Sequence, residues 1–149
     1  MKTYAINKRA HYDYEILEKL EGGLVLAGHE AKSIKTGLIS LKGAFVTIRD
    51  NQAYLTNASI PAYQPKNTPE SYDPERSRKV LIHKSQLKSL IGKISRKGLT
   101  LVPIKVYSNR GLIKLEFGIG KGKKKFDKRE DIKKRETKVS IERALKNKY

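Results

Sequence analysis

The side chains able to carry catalysis in this chain are few and scattered. His11, His29 and His83 stand far apart, with no HExxH or other metal-ligand spacing, and read as surface or helix-edge histidines. Cysteine is absent, which excludes a disulfide framework and a thiolate metal site. One short pattern has catalytic form. Glu30-Ala31-Lys32 matches the E-x-K of metal-dependent nucleases, where a carboxylate binds magnesium and the lysine helps activate water. Such a site wants another carboxylate, for which only Asp13 offers itself, and three residues match by chance easily in a lysine-rich chain. Glu30 has two further readings. It could sit in the first turn of a helix, stabilised by the helix dipole, or accept hydrogen bonds from a base edge or ribose 2′-hydroxyl within a basic surface. Composition leaves these two open.

Binding chemistry is better represented. Asp73-Pro74-Glu75-Arg76-Ser77-Arg78-Lys79 places three cations in four residues beside a proline-rich stretch, which suits phosphate contact at least as well as plain solvation. From Lys121 to Tyr149 thirteen Lys or Arg stand against five Asp or Glu, and nothing there could form a core. A polyanion gains from each phosphate so neutralised, because condensed counterions are released. Phe126 interrupts this segment between Lys125 and Asp127. It could staple the tail to a folded body, but stacking on a base, worth about 1–3 kcal/mol, is the favoured reading. The tail also holds a latent helix. Asp127 and Glu130 can form a capping box, and Glu130 with Lys134, Asp131 with Arg135 and Glu142 with Lys146 pair at i, i+4. An isolated helix of this kind is marginal in water, so it should form where a partner receives it.

The elements that must position these groups fit one domain with an appendage: 149 residues with a formal charge of +18, of which +10 lies in residues 1–120. Nucleic acid is the partner this charge favours, ahead of an anionic membrane. The tail's apolar set of Ile141, Ala144, Leu145 and Tyr149 is thin for membrane docking. The N-terminus lacks a signal-peptide pattern, and Gly22–Gly28, the longest apolar run, is too short to span a bilayer, so a cytoplasmic protein is expected.

After a basic lead-in over residues 1–11, Tyr12–Glu18 alternates as a strand, and Gly22-Gly23 is expected to turn the chain into Leu24-Val25-Leu26. Glu30–Thr36 reads as a helix closed by Gly37. Ala44–Arg49 and Ala53–Asn57 form a hairpin about Asp50-Asn51, and four of the five prolines mark a long loop from Pro61 to Pro74. Leu87, Leu90, Ile91 and Ile94 give an amphipathic helix ending near Gly98. Val102, Ile104 and Val106 are expected on one face of a strand, and Ile113, Leu115, Phe117 and Ile119 on one face of the next, joined by Asn109-Arg110-Gly111. Pro103 belongs at an edge or bulge. About six antiparallel strands in hairpins with appended helices predict a mainly β fold, a small closed or partly open barrel over residues 1–120, followed by a basic tail over 121–149.

Five segments in order carry a resemblance: Asn7-Lys8-Arg9-Ala10, Gly28-His29-Glu30-Ala31-Lys32-Ser33, Asp73–Lys79, Gly98-Leu99-Thr100-Leu101-Val102-Pro103 and Gly122–Arg129. Together they resemble the SmpB family, the SsrA-binding proteins of bacterial trans-translation, from about Asn7 to the C-terminus. The resemblance implies an oligonucleotide-binding barrel without enzymatic activity or cofactor. It implies binding to the tRNA-like domain of transfer-messenger RNA and delivery with elongation factor Tu to stalled ribosomes. The tail would become helical in the decoding site and empty mRNA channel, and the protein would act as a monomer. By matched motif, Asn7, Lys8, Arg9, Glu30, Lys32 and Ser33 would face RNA, with Lys123, Lys124 and Lys125 at the tailward edge. Arg76, Arg78 and Lys79 join them as phosphate contacts. Phe126, Asp127, Lys128, Arg129, Ile132 and Lys133 would face the ribosome. The chain departs from the family pattern at His11, which precedes Tyr12 where a basic residue then histidine is usual. Ala31 stands where valine is usual and Phe126 where histidine or tyrosine is common. Composition alone would also suit a general single-stranded RNA-binding or ribosomal module.

Overall fold

A computed structural model of the chain describes residues 1–64, 66, 68–95 and 98–123. Within it lie seven antiparallel strands: β1 (Lys2–Ile6), β2 (Tyr14–Leu24), β3 (Phe45–Arg49), β4 (Gln52–Thr56), β5 (Arg78–Leu81), β6 (Leu99–Asn109) and β7 (Leu112–Gly122). Three helices interrupt them: α1 (Ala10–Asp13), α2 (Gly28–Lys35) and α3 (Lys84–Ile94).

Six strands close a ring in the order β6-β3-β4-β5-β2-β7, because β6 pairs both β3 and β7. Closure removes the exposed edges that an open sheet would leave. The β6–β7 hairpin turns at Arg110 and Gly111, both at positive φ, between the paired Asn109 and Leu112. That is the two-residue geometry whose twist suits a hairpin. Asp50 and Asn51 do the same between β3 and β4. The β3–β6 seam is narrow, joined at Val46 and Leu101. Farther along the same edge of β6, β1 adds the seventh strand at Lys105–Ser108.

Ile113, Leu115, Phe117 and Ile119 do share one buried face and form the spine of the main core, with Val46, Leu55, Ile60 and Val80. Ile34 of α2 and Leu90 of α3 pack into it. Several expectations are corrected. Gly22-Gly23 is no turn: β2 runs straight through it, leaving β7 for β5, with Gly23 opposite both Lys114 and Leu81. A Cβ on Gly22 would lie 2.5 Å from Val80 Cγ1, so glycine there permits close approach of β5, not a reversal. The basic lead-in contains strand β1, and the cationic segment contains β5, neither of which was expected. The face assigned to Val102, Ile104 and Val106 is split. Register shifts between Pro103 and Lys105, so Val106 enters the main core while Val102 and Ile104 form a second cluster with Ala10 beneath α1. Pro103 therefore sits at a bulge, where its missing N–H breaks no regular ladder. Sheet pairing also runs past residue 120, since Lys121 pairs Glu15 and Gly122 pairs Tyr14.

Candidate nucleic-acid interface

Helix α2 begins with a carboxylate turned inward. Glu30 is 0% exposed and its Oε1 accepts the N–H of Ala27 at 2.9 Å, capping the helix. Its other partners come from the far side of the proline loop. Arg78 Nε donates to Oε2 at 2.9 Å, Arg76 Nε donates to the same oxygen at 3.1 Å, and Arg76 Nη2 reaches Oε1. Arg78, also 0% exposed, spends its remaining donors on Ala58 O at 2.7 Å, Pro74 O at 2.8 Å and the Tyr72 hydroxyl oxygen at 3.0 Å. The Tyr72 hydroxyl donates to Ile60 O at 2.7 Å. Ser33, buried one turn along α2, donates to Pro61 O at 2.7 Å. The loop is thus stitched to α2 at both ends by groups with no surface of their own. Burial by itself pushes the Glu30 carboxyl up. The hydrogen bonds from Arg76, Ala27 and Arg78 outweigh it and hold the pKa at about 2.

Of the residues expected to face RNA in this region, the structure places Glu30, Ser33 and Arg78 inside and leaves Lys32, Lys79 and part of Arg76 at the surface. Glu30 is therefore neither a mere first-turn carboxylate nor an acceptor open to RNA. It is the anion on which two arginines are organised. The same burial removes the nuclease geometry, since both carboxylate oxygens are engaged by protein donors; Asp13 is bound elsewhere, to Arg9 at 3.1 Å.

A second group forms around α1. Asn7 donates through Nδ2 to Pro103 O at 2.8 Å and through its backbone to Ile104 O at 2.7 Å, fastening the β1–α1 link to the β6 bulge. Lys8 and Arg9 are exposed, and Arg9 lies 4.9 Å over the Tyr12 ring. Lys123 joins them: its N–H donates to Asp13 O at 2.9 Å and its Nζ to His11 O at 2.7 Å. Lys124, Lys125, Phe126, Asp127, Lys128, Arg129, Ile132 and Lys133 lie outside the described residues.

Sequence reasoning missed Tyr72, which has no periodic signal in a proline loop, and a trio contributed by β2, β6 and β7. There the buried Tyr107 hydroxyl donates to Glu21, and Lys114 donates to Glu21 at 2.8 Å. Burial, then Glu21, raises the Tyr107 pKa, while Lys114 and Tyr107 lower that of Glu21. A concavity of about 450 Å³ opens beside the trio, flanked by Gly22, Gly23 and the half-exposed Leu81. No group of three or more metal-ligating side chains occurs among the described residues.

A closed antiparallel barrel with cations mounted on its links and loops is an oligonucleotide-binding-type barrel. The chain belongs to the SmpB family, whose model, described as SmpB protein, matches residues 4–147. It is 47% identical over 146 residues to the SsrA-binding protein of Enterococcus faecalis, covering 98% of this chain and 94% of that one. To the SsrA-binding protein of Thermosipho africanus it is 46% identical, with 98% of each covered. A chain from a solved structure described as "tmRNA-SmpB: a journey to the center of the bacterial ribosome" superposes with a TM-score of 0.65 at 45% identity, over 80% of this chain and 84% of that one.

Proposed function

We propose that this protein binds the tRNA-like domain of transfer-messenger RNA and helps bring it to stalled ribosomes for trans-translation. The observation that carries this reading is family membership over nearly the whole chain, tail included, with relatives named for binding SsrA. The geometry supports it through Arg76, a part-exposed cation held by the buried Glu30, whose carboxylate oxygens are both engaged and so are not open to serve as metal ligands. The protein acts as a binding module rather than an enzyme, as a cytoplasmic monomer, and no helix among the described residues is long and apolar enough to cross a membrane. Delivery involves elongation factor Tu. The barrel, whose last strand ends at Gly122, grips RNA, and the residues beyond Lys123 supply the tail that enters the decoding site and empty mRNA channel. On the barrel, Lys8, Arg9, Lys32, Arg76, Lys79 and Lys123 meet the phosphates, while Glu30 holds Arg76 and Asn7, Ser33 and Arg78 fasten the backbone of the links and loop that carry this surface.

A gel shift tests the reading. The protein should prefer a folded tRNA-like RNA over an unstructured RNA of equal length; equal affinity for both would favour a general single-stranded RNA-binding module.

A further inference from the structure

A groove of about 830 Å³ runs between the β1–α1 link and the segment from Ile39 to Phe45, sharing no residue with the Glu30 network. Its volume falls within the range of small-molecule sites, about 300–1,000 Å³. Leu41, Leu101 and Val102, all buried, form the floor. Phe45 and Ile6 line it with 40% and 62% of their surface exposed. The rim carries Lys8, Arg9 and Lys42. Arg9 is committed to Asp13, whereas Lys8 and Lys42 have no carboxylate within ion-pair distance among the described residues. Apolar surface that includes a part-exposed aromatic ring, bounded by cations without a carboxylate partner among the described residues, matches the two halves of a nucleotide: a flat base and a phosphate.

We propose that this groove receives an unstacked nucleobase of bound RNA, stacked on Phe45, with the adjoining phosphates on Lys8 and Lys42. The proposal rests on the RNA-binding reading above and adds a contact to it. Both walls are set in advance. Asn7 fixes one to the β6 bulge, and the Ser40–Ser59 bridge, with Ala44 N–H donating to Leu41 O at 3.0 Å, fixes the other. A preformed slot spares the bound state the cost of ordering it. The chain's own tail leaves the barrel at this rim, since Lys123 bonds to Asp13 O. Residues 124–149, however, hold eleven Lys or Arg against five Asp or Glu, the same sign as the rim. Charge complementarity selects an anion instead.

The test uses the full chain with two probes, a single-stranded uridine decamer and a folded tRNA-like RNA, followed by fluorescence anisotropy at fixed salt. Phe45→Ala should weaken decamer binding about tenfold or more, the scale of one lost base stack. Phe45→Leu, which keeps apolar bulk without a ring, should lose a similar factor. Lys42→Gln should weaken binding and make the salt dependence shallower by about one phosphate. Leu112→Ala, at the exposed β6–β7 turn, serves as the unaffected control. Decamer affinity unchanged in the Phe45 and Lys42 variants overturns the proposal, as does folded RNA bound with no decamer binding; both leave the RNA-binding reading standing. Failure of the unmodified protein to bind either RNA removes that reading and this site with it. Nuclear Overhauser contacts in the free protein between the Phe45 ring and methyls of residues 124–149 would assign the groove to the tail and overturn the proposal.

Discussion

A carboxylate without solvent-exposed surface stays ionised only where enough donors replace its water. Glu30 has Arg76, Arg78 and the Ala27 N–H, and its pKa falls from the ordinary 4.5 to about 2. A depressed carboxyl adds stability that is complete above the unfolded value and fades as pH falls toward the folded one. For Glu30 the loss should run from about pH 4.5 down to pH 2 and amount to something on the order of 3 kcal/mol. Urea titrations across that range should show an acid-labile step in the unmodified protein that is missing in Glu30→Gln. That variant should itself be less stable at pH 7 by about 3–5 kcal/mol, because it strands the buried Arg78 guanidinium. The helix dipole alone would predict about 0.3–1 kcal/mol, so the size of the loss separates the two roles. The double variant Glu30→Leu, Arg78→Met should lose less than the sum of its single changes, since it leaves no unpaired buried charge. The sequence made Glu30 visible and left its orientation open. Arg78 reads as a phosphate contact or a solvated cation, and its burial is not legible because its carboxylate lies 48 positions away in the chain.

Strand β2 shows how local signals can point to the wrong geometry. A glycine pair between alternating segments reads as a turn, yet Gly22 is where β5 crosses close to β2, with Val80 Cγ1, Ile82 Cγ2 and Leu81 O at 2.5, 3.0 and 3.0 Å from a built Cβ. Gly22→Ala should therefore destabilise the barrel by about 1–3 kcal/mol through overpacking. Gly23→Ala, whose Cβ would find Leu81 Cβ at 3.9 Å, should cost far less. Chemical denaturation of the pair checks this, and equal costs would restore the turn. The legible elements are those whose pattern is local. The β3–β4 and β6–β7 hairpins bring alternating faces to turn residues that accept positive φ, and α3 keeps its i, i+3, i+4 stripe. Strands β1 and β5 were not legible. Lys2–Ile6 owes its extended form to β6, about a hundred residues on, and Arg78–Leu81 owes its form to β2 and β4. Pro103 reads as an edge or bulge residue, and of the two it marks a bulge, but the consequence, moving Val102 and Ile104 out of the main core, depends on α1 being there to cover them.

Across the whole molecule the charge of +18 favours a polyanionic partner and predicts salt-sensitive binding. If six to ten phosphates are neutralised, affinity for the tRNA-like RNA should fall by about 10³ or more between 50 and 200 mM salt. A flat response in the same gel shift would remove the electrostatic basis of the interface. The two ends of the molecule should separate cleanly. Strand β7 ends at Gly122, and Lys123 is bonded back to α1, so truncation after Lys125 keeps every described strand and every described cation. Melting temperature and most RNA affinity should survive it. If the tail has the role proposed for it, tagging of nascent chains on stalled ribosomes should be lost, because nothing would remain to enter the decoding site and the vacant channel. Ile132→Pro, which leaves composition and charge almost untouched, should act like the truncation if the tail must be helical when bound, since proline in a helix interior costs about 3 kcal/mol. Ile132→Ala, free of that penalty, should retain most activity. Tagging at the normal rate by the truncated protein would show that the barrel alone suffices. Loss in the truncation but not in Ile132→Pro would keep the tail essential while removing its helix.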